Sequence, residues 1–252
     1  MSKGEKSKGV SMRKNICVVI IIVFGLATIM FNSGCSHLTK EREWRTIARF
    51  DFDKGEIWNI SLQETDPGLT WSVIDETGRF VGTTQDTEWI GNRIWLPVFE
   101  DTRTKIELSG DFKIAHSDDY QLVALWGMTD DGKIGWGPLC VYFSGRKGEG
   151  SYLIQTDWLT LSSKLVQGKD INKRVSADAS KDFHTMKIIL DREVSEISYY
   201  IDDIPLGTIK VDGEIGPITK MMMDIETPDQ GTELDIRYDN LRARSSGNPY
   251  KK

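Results

Sequence analysis

The chain has 252 residues, 39% hydrophobic and 28% charged, a mixture that excludes a disordered chain and leaves room for one sizeable domain beyond any targeting segment. Its net charge of -6 hides an asymmetry: the first 34 residues hold five Lys/Arg against one Glu, leaving 27 basic and 37 acidic residues, a balance of -10, in the rest. That balance repels nucleic-acid backbone at long range and argues against DNA or RNA as partners.

The N-terminus reads in three parts: basic Arg13 and Lys14, an apolar run from Ile16 to Phe31, and Asn32-Ser33-Gly34-Cys35. As a helix the apolar run spans about 24 Å, short of the roughly 30 Å of a bilayer core. The stretch resembles a bacterial lipoprotein signal, which ends in Gly-Cys, with Asn32 where that signal prefers Leu. The resemblance implies a signal segment over 1-35, lipidation at Cys35, and a chain tethered to the lipid bilayer of a bacterial envelope, facing outside the cytoplasm. An uncleaved single-pass anchor is the alternative, and it exports the domain equally. Of three cysteines, Cys17 falls in the segment to be removed and Cys35 carries lipid, so Cys140 stands alone without a disulfide partner. It sits in the apolar run Pro138 to Phe143 and reads as a small core residue.

A polar tether, 36-43, leads to one domain, 44-244, with no Pro/Gly/Ser-rich linker and no repeat, then a polar tail, 245-252. The domain reads as strands. Ile57 to Leu62 precedes the turn Asp66-Pro67-Gly68, and Trp71 to Asp75 precedes Glu76-Thr77-Gly78. Thr104 to Leu108, Asp111 to Ala115, Gln121 to Gly127, Leu139 to Phe143 and Tyr152 to Thr156 follow. Met186 to Leu190, Ile197 to Ile201, Met221 to Ile225 and Leu234 to Tyr238 complete the set. No apolar 3.6-residue period persists beyond about two turns, so an all-β sandwich or barrel is expected behind the N-terminal signal or anchor helix.

Two segments carry a family resemblance. Phe183-His184 opens one strand, and Tyr199-Tyr200-Ile201-Asp202-Asp203 closes the next. Near the end stands Tyr238-Asp239-Asn240-Leu241-Arg242-Ala243. With Phe50 to Gly55 and Gly110 to Ile114, these resemble the concanavalin A-like lectin/glucanase superfamily, laminin G-like domains included; Asp203 replaces its usual turn glycine. The resemblance implies an antiparallel jelly-roll β-sandwich of two packed sheets, one concave, whose commonest use is carbohydrate binding.

Sugar recognition needs flat aromatic faces and polar side chains for hydroxyls. All eight Trp lie between 44 and 158. Trp126, Trp136, Tyr142 and Trp158 fall where the resemblance places the concave sheet, and Trp89 to Trp95, read as one loop, adds Asn92, Arg93 and Trp95. A glycan or polysaccharide is thus the expected partner, bound without catalysis. A Trp in a sandwich is nonetheless more often packing than platform. The runner-up is a surface glycoside hydrolase or polysaccharide lyase. The glucanase motif Glu-x-Asp-x-x-Glu is absent from Ser151 to Asp157, whereas Asp224 and Glu226 would share one strand face. A third reading is a protein-binding scaffold. No cofactor is expected. The three histidines lack zinc spacing, and the resemblance leaves a structural calcium at Asp51, Asp53 and Asp239 open.

Overall fold

The computed structural model describes residues 44-52, 61-63, 66-85, 92-98, 103-129, 140-153, 175-176, 178-210, 215-227 and 229-249. Among them are fifteen strands and no helix. One sheet runs, edge to edge, β13 (Ile204–Lys210), β12 (Glu196–Ile201), β11 (His184–Asp191), β6 (Arg103–Ser117), β15 (Glu233–Pro249), β4 (Thr77–Thr83) and β3 (Leu69–Ile74), with β1 (Arg45–Phe50) pairing β15 as the eighth strand. The second runs β10 (Val175–Ser176), β9 (Glu149–Leu153), β8 (Cys140–Arg146), β7 (Gln121–Thr129), β14 (Ile218–Glu226), β5 (Asn92–Pro97) and β2 (Ser61–Gln63). Every pairing is antiparallel, and the two sheets pack as the jelly-roll sandwich that the family resemblance implies, where strand pattern and turn chemistry alone left a barrel open.

Alternation fixes which side of each strand enters the core. Ile106, Leu108, Phe112 and Ile114 of β6 meet Met221, Met223 and Ile225 of β14 in one buried cluster with Ile188, Ile197, Tyr199, Phe143, Phe80 and Tyr238. Thr104 to Leu108 and Asp111 to Ala115 were expected as two strands, yet β6 is continuous through Gly110. The missing side chain explains this: a Cβ there would lie 2.9 Å from Met223 Sδ, so glycine lets the facing methionine fill the layer.

The His184 segment forms the expected hairpin. Asp202 and Asp203 both take positive φ, 48° and 65°, as a two-residue turn between β12 and β13 requires. Asp202 Oδ1 accepts from Thr185 N at 2.8 Å, and its Oδ2 lies 2.6 Å from His184 Nδ1, pinning the turn to β11. Asp203, lacking glycine's freedom, is held by an ion pair with Lys187.

Two expectations are corrected. Residues 245-249 do not form a polar tail: β15 runs on to Pro249, pairing β6 as far as Arg103, with Ser245, Ser246 and Gly247 buried. The Trp89 to Trp95 stretch is not a loop throughout, since β5 begins at Asn92. Cys35 with the rest of 1-43, and Asp53, Trp136 and Trp158, lie outside the described residues.

Candidate functional site

The side of the seven-stranded sheet away from the core is built by the residues that alternate with the buried ones. Register places Arg93, Asp224, Ala124 and Tyr142 in one cross-strand row. The next row holds Trp95, Met222, Trp126 and Cys140, and the row on the other side Glu226, Leu122, Ser144 and Ser151. Cross-strand partners stand about 5 Å apart, so aromatic, acidic and hydroxyl groups share one continuous face.

Its middle is apolar and closed. Ala124, Trp126, Cys140, Tyr142 and Met222 form a second buried cluster, with Trp95 and Leu122 packed on it. Trp126 and Tyr142, nominated as sugar platforms, are 3% and 5% exposed and meet edge to face, centroids 5.7 Å apart. Trp95 stays half-buried under Lys220, 6.0 Å from the ring centroid. Asn92 faces the opposite way: fully buried, its Oδ1 accepts from Asp66 N at 2.9 Å and its Nδ2 donates to Leu69 O, which tethers β5 to the turn before β3.

Asp224 and Glu226, two residues apart on β14, do share a strand face, and one guanidinium holds both. Arg93 Nε lies 3.4 Å from Asp224 Oδ2, and Nη2 lies 3.4 Å from Glu226 Oε1. Asp224 is wholly buried, and its Oδ1 has no hydrogen-bond partner among the described residues. Burial first, then the Glu226 charge, pushes the Asp224 carboxyl well above its ordinary range, and Arg93 only partly offsets this. Burial likewise raises Glu226, against the lowering effect of the neighbouring Asp224 carboxyl and of the Arg93 charge. The pair therefore titrates as a unit that favours keeping a proton on Asp224. Cys140 lies in the same cluster rather than between the sheets; burial, then the Asp224 and Glu226 charges, keep its thiol protonated and inert.

The face opens at one end. A hollow of about 630 Å³ is lined by Asp119, Tyr120, Arg146, Glu149 and Ser151. Tyr120 is 38% exposed, its hydroxyl bonds Ser144 Oγ, and its carbonyl accepts from Thr227 Oγ1 at 3.1 Å, directly beyond Glu226. Arg146 and Glu149 pair across the turn between β8 and β9. Behind the hollow the two strands approach closely at Gly145 and Gly150: a Cβ on Gly150 would strike the Phe143 ring at 2.2 Å. Tyr120, Arg146 and Glu149 were not singled out in the sequence. The only signal for Tyr120 was an aromatic beside Asp118-Asp119 immediately before a strand.

Of the three acids expected to hold calcium, Asp53 lies outside the described residues, and the other two have partners of their own. Asp51 turns to Arg49 at 2.8 Å, and Asp239 Oδ1 accepts from Asn240 N at 2.7 Å. Among the described residues the group with ligand atoms within 4.8 Å of one another is His116, Asp118 and Glu233, at the far end of β6. Two of those three are exposed.

No protein-family model and no curated protein matches the sequence. Solved structures match over most of the chain. An endo-β-1,3-glucanase from Pyrococcus furiosus is 14% identical, with a TM-score of 0.54 over 82% of this chain and 97% of that one. An endo-1,3-β-glucanase from Streptomyces sioyaensis is 13% identical, with a TM-score of 0.53 over 81% and 97%. A sialidase is 12% identical, with a TM-score of 0.54, but this chain spans only 19% of its length. At these identities the likeness establishes the fold: a two-sheet jelly roll of the kind found in carbohydrate-active proteins.

Proposed function

We propose that this chain is a glycan-binding domain that holds a saccharide against the outer side of the seven-stranded sheet without cleaving it. On this reading it is a lipoprotein: a signal segment over 1-35, lipid on Cys35 and a short tether hold the domain outside the bacterial cytoplasm. The observation that carries the binding reading is the hollow beside Tyr120. It joins an exposed aromatic ring to carboxylate, guanidinium and hydroxyl groups, the combination that a sugar's apolar face and hydroxyls need. Because glucanases acting on β-1,3-glucan share the fold, that polymer is the first ligand to try.

Against hydrolysis stands the geometry of the acids. A glycosidase sets two carboxyls across the scissile bond, about 5-9.5 Å apart, with the sugar between them. Asp224 and Glu226 instead lie on one strand, are almost wholly buried, and are joined through Arg93. One observation keeps the hydrolase or lyase alive: Asp224 is biased to hold a proton, as a general acid must.

The test is a glycan-array screen of the chain, with β-1,3-glucan included and calcium present or chelated, alongside Tyr120→Ala. Saturable binding that Tyr120→Ala weakens at least tenfold, with no new reducing ends after long incubation, supports the proposal. Release of reducing ends that Asp224→Asn abolishes moves the assignment to hydrolysis. Binding to no glycan by a folded chain sinks both and favours a protein-binding scaffold.

A further inference from the structure

The outer side of the eight-stranded sheet carries a second, independent feature. Strand register lines up Arg49 of β1, Arg242 of β15, Ser109 of β6 and Lys187 of β11 in a single cross-strand row. Three of these four are cations, and like charges side by side on a sheet repel unless something lies between them. Each neighbouring arginine on this face reaches a carboxylate, Asp235 being shared by two of them. Arg79 takes Asp235, Arg244 takes Glu107, Arg49 takes Asp51, and Arg237 reaches Asp235 at 3.6 Å. Among the described residues Arg242 has none, and its Nε, like that of Arg237, is buried without an acceptor.

The adjoining group is orphaned too. Ser109 is 2% exposed, and its hydroxyl has no hydrogen-bond partner among the described residues. Carboxylates above and below on β6 are committed elsewhere. Glu107 gives both oxygens to Arg244 at 2.8 and 2.7 Å, and Asp111 accepts from Thr185 Oγ1 and Asn240 Nδ2. Lys187 leans toward Asp203 and the Tyr200 ring. What remains between Arg242 and Ser109 is a pair of adjacent donors with no acceptor among the described residues. The bulge between Asp239 and Arg242 sets this up: it inserts an extra residue, with Asn240 at φ 48°, and so returns Arg242 to the outward face opposite Ser109.

We propose that Arg242 and Ser109 form an oxyanion-binding site on the outer side of the eight-stranded sheet, with Arg49 and Lys187 as flanking charge. A guanidinium edge and a hydroxyl suit sulfate, phosphate or carboxylate, free or carried on a larger molecule. The site lies on the opposite side of the sandwich from the hollow at Tyr120, and it stands or falls without the glycan reading.

The experiment titrates the full-length chain with sodium sulfate at ionic strength held constant by chloride, reading the melting midpoint and the Nε–H signals of arginines. Sulfate stabilises proteins generally by exclusion from their surface, so the diagnostic part is saturable and residue-specific. The wild type is expected to give one saturating Nε–H shift. Arg242→Gln should lose the saturable response and Ser109→Ala should weaken it at least threefold, whereas Arg237→Gln on the same face keeps it. Arms with phosphate, acetate and a sulfated oligosaccharide separate tetrahedral from planar anions, and free ions from a larger ligand. A wild type without a saturable component, or an Arg242→Gln variant titrating like the wild type, overturns the site. If Arg242→Gln fails to fold, an unchanged sulfate affinity in Ser109→Ala overturns it instead.

Discussion

The two outer sides of the sandwich treat buried carboxylates in opposite ways. On the eight-stranded sheet Asp235 and Glu107 each have a guanidinium that takes both oxygens: Arg79 bonds those of Asp235 at 2.7 and 2.8 Å, with Arg237 also 3.6 Å away, and Arg244 bonds those of Glu107 at 2.8 and 2.7 Å. These are short bidentate pairs, the strongest kind of protein ion pair. Burial works to raise the Asp235 carboxyl, but the Arg79 bonds and charge outweigh it and hold it below its ordinary range. On the seven-stranded sheet two acids share one arginine at 3.4 Å each, and burial wins, so Asp224 is pushed up. The lesson is one of stoichiometry. One cation per acid gives a permanent charge pair; one cation for two acids leaves a proton as the second counter-charge.

The largest effect should come from removing the shared arginine. Arg93→Met leaves two buried carboxyls with no cation, and breaking a buried pair from one side costs about 3-5 kcal/mol. Urea unfolding at neutral pH should show a loss of that size. Adding Asp224→Asn and Glu226→Gln to Arg93→Met should recover most of it, because no buried charge then remains. A single-variant loss below about 1 kcal/mol would mean the acids are not held as the structure has them. Next in size, Glu107→Gln turns a bidentate carboxylate into an amide opposite Arg244. Arg244 is 27% exposed and keeps its contact with the Trp44 ring at 5.4 Å, so water takes part of the charge. About 2 kcal/mol of destabilisation is expected, read from the same unfolding curves.

How much of this could be read from sequence differs along the same lines. Period-2 patterns were enough for most strands of both sheets, since burial on one side writes itself into alternation. They failed where burial came from tertiary context. β6 looked like two strands because the role of Gly110 depends on Met223 across the core, more than a hundred residues away. Asn92, Arg93 and Trp95 looked like a binding loop because polar and aromatic residues alternate in β5, though only Arg93 and Trp95 face outward. The Asp224-x-Glu226 spacing was legible as two acids on one face, but their arginine lies 131 residues away from Asp224, and only the β5–β14 register joins them. Trp126 and Tyr142 were read as platforms from residue type and from where the resemblance places the concave sheet; neither says that their neighbours Cys140 and Met222 would make the face apolar and closed. Likewise nothing local in the sequence marks Ser109 and Arg242 as neighbours.

The smallest effect is the sharpest test, because it turns on sign. A carboxyl whose folded pKa lies above its unfolded value binds a proton in the folded state where the unfolded chain has released it. Its contribution is fully present below the unfolded carboxylate range and is lost as pH rises through the window up to the folded value, at about 1.4 kcal/mol for each unit of separation. Asp235 runs the other way: its contribution is present above the unfolded range and is lost as pH falls through its lowered value. Asp224→Asn copies the protonated acid and cannot ionise. Relative to the wild type it should therefore be neutral or slightly destabilised at pH 4 and gain steadily as pH rises, ending more stable at pH 8, with guanidinium unfolding curves at several pH values as the readout. Glu107→Gln, the same carboxyl-to-amide exchange on the other face, should be destabilising at neutral pH because its carboxylate is the half of a bidentate pair that the exchange removes. Opposite signs at neutral pH would establish that one face holds a proton and the other a charge. Parallel pH curves for Asp224→Asn and the wild type would show that Arg93 suffices for both acids, and the distinction between the faces would then collapse to one of distance alone.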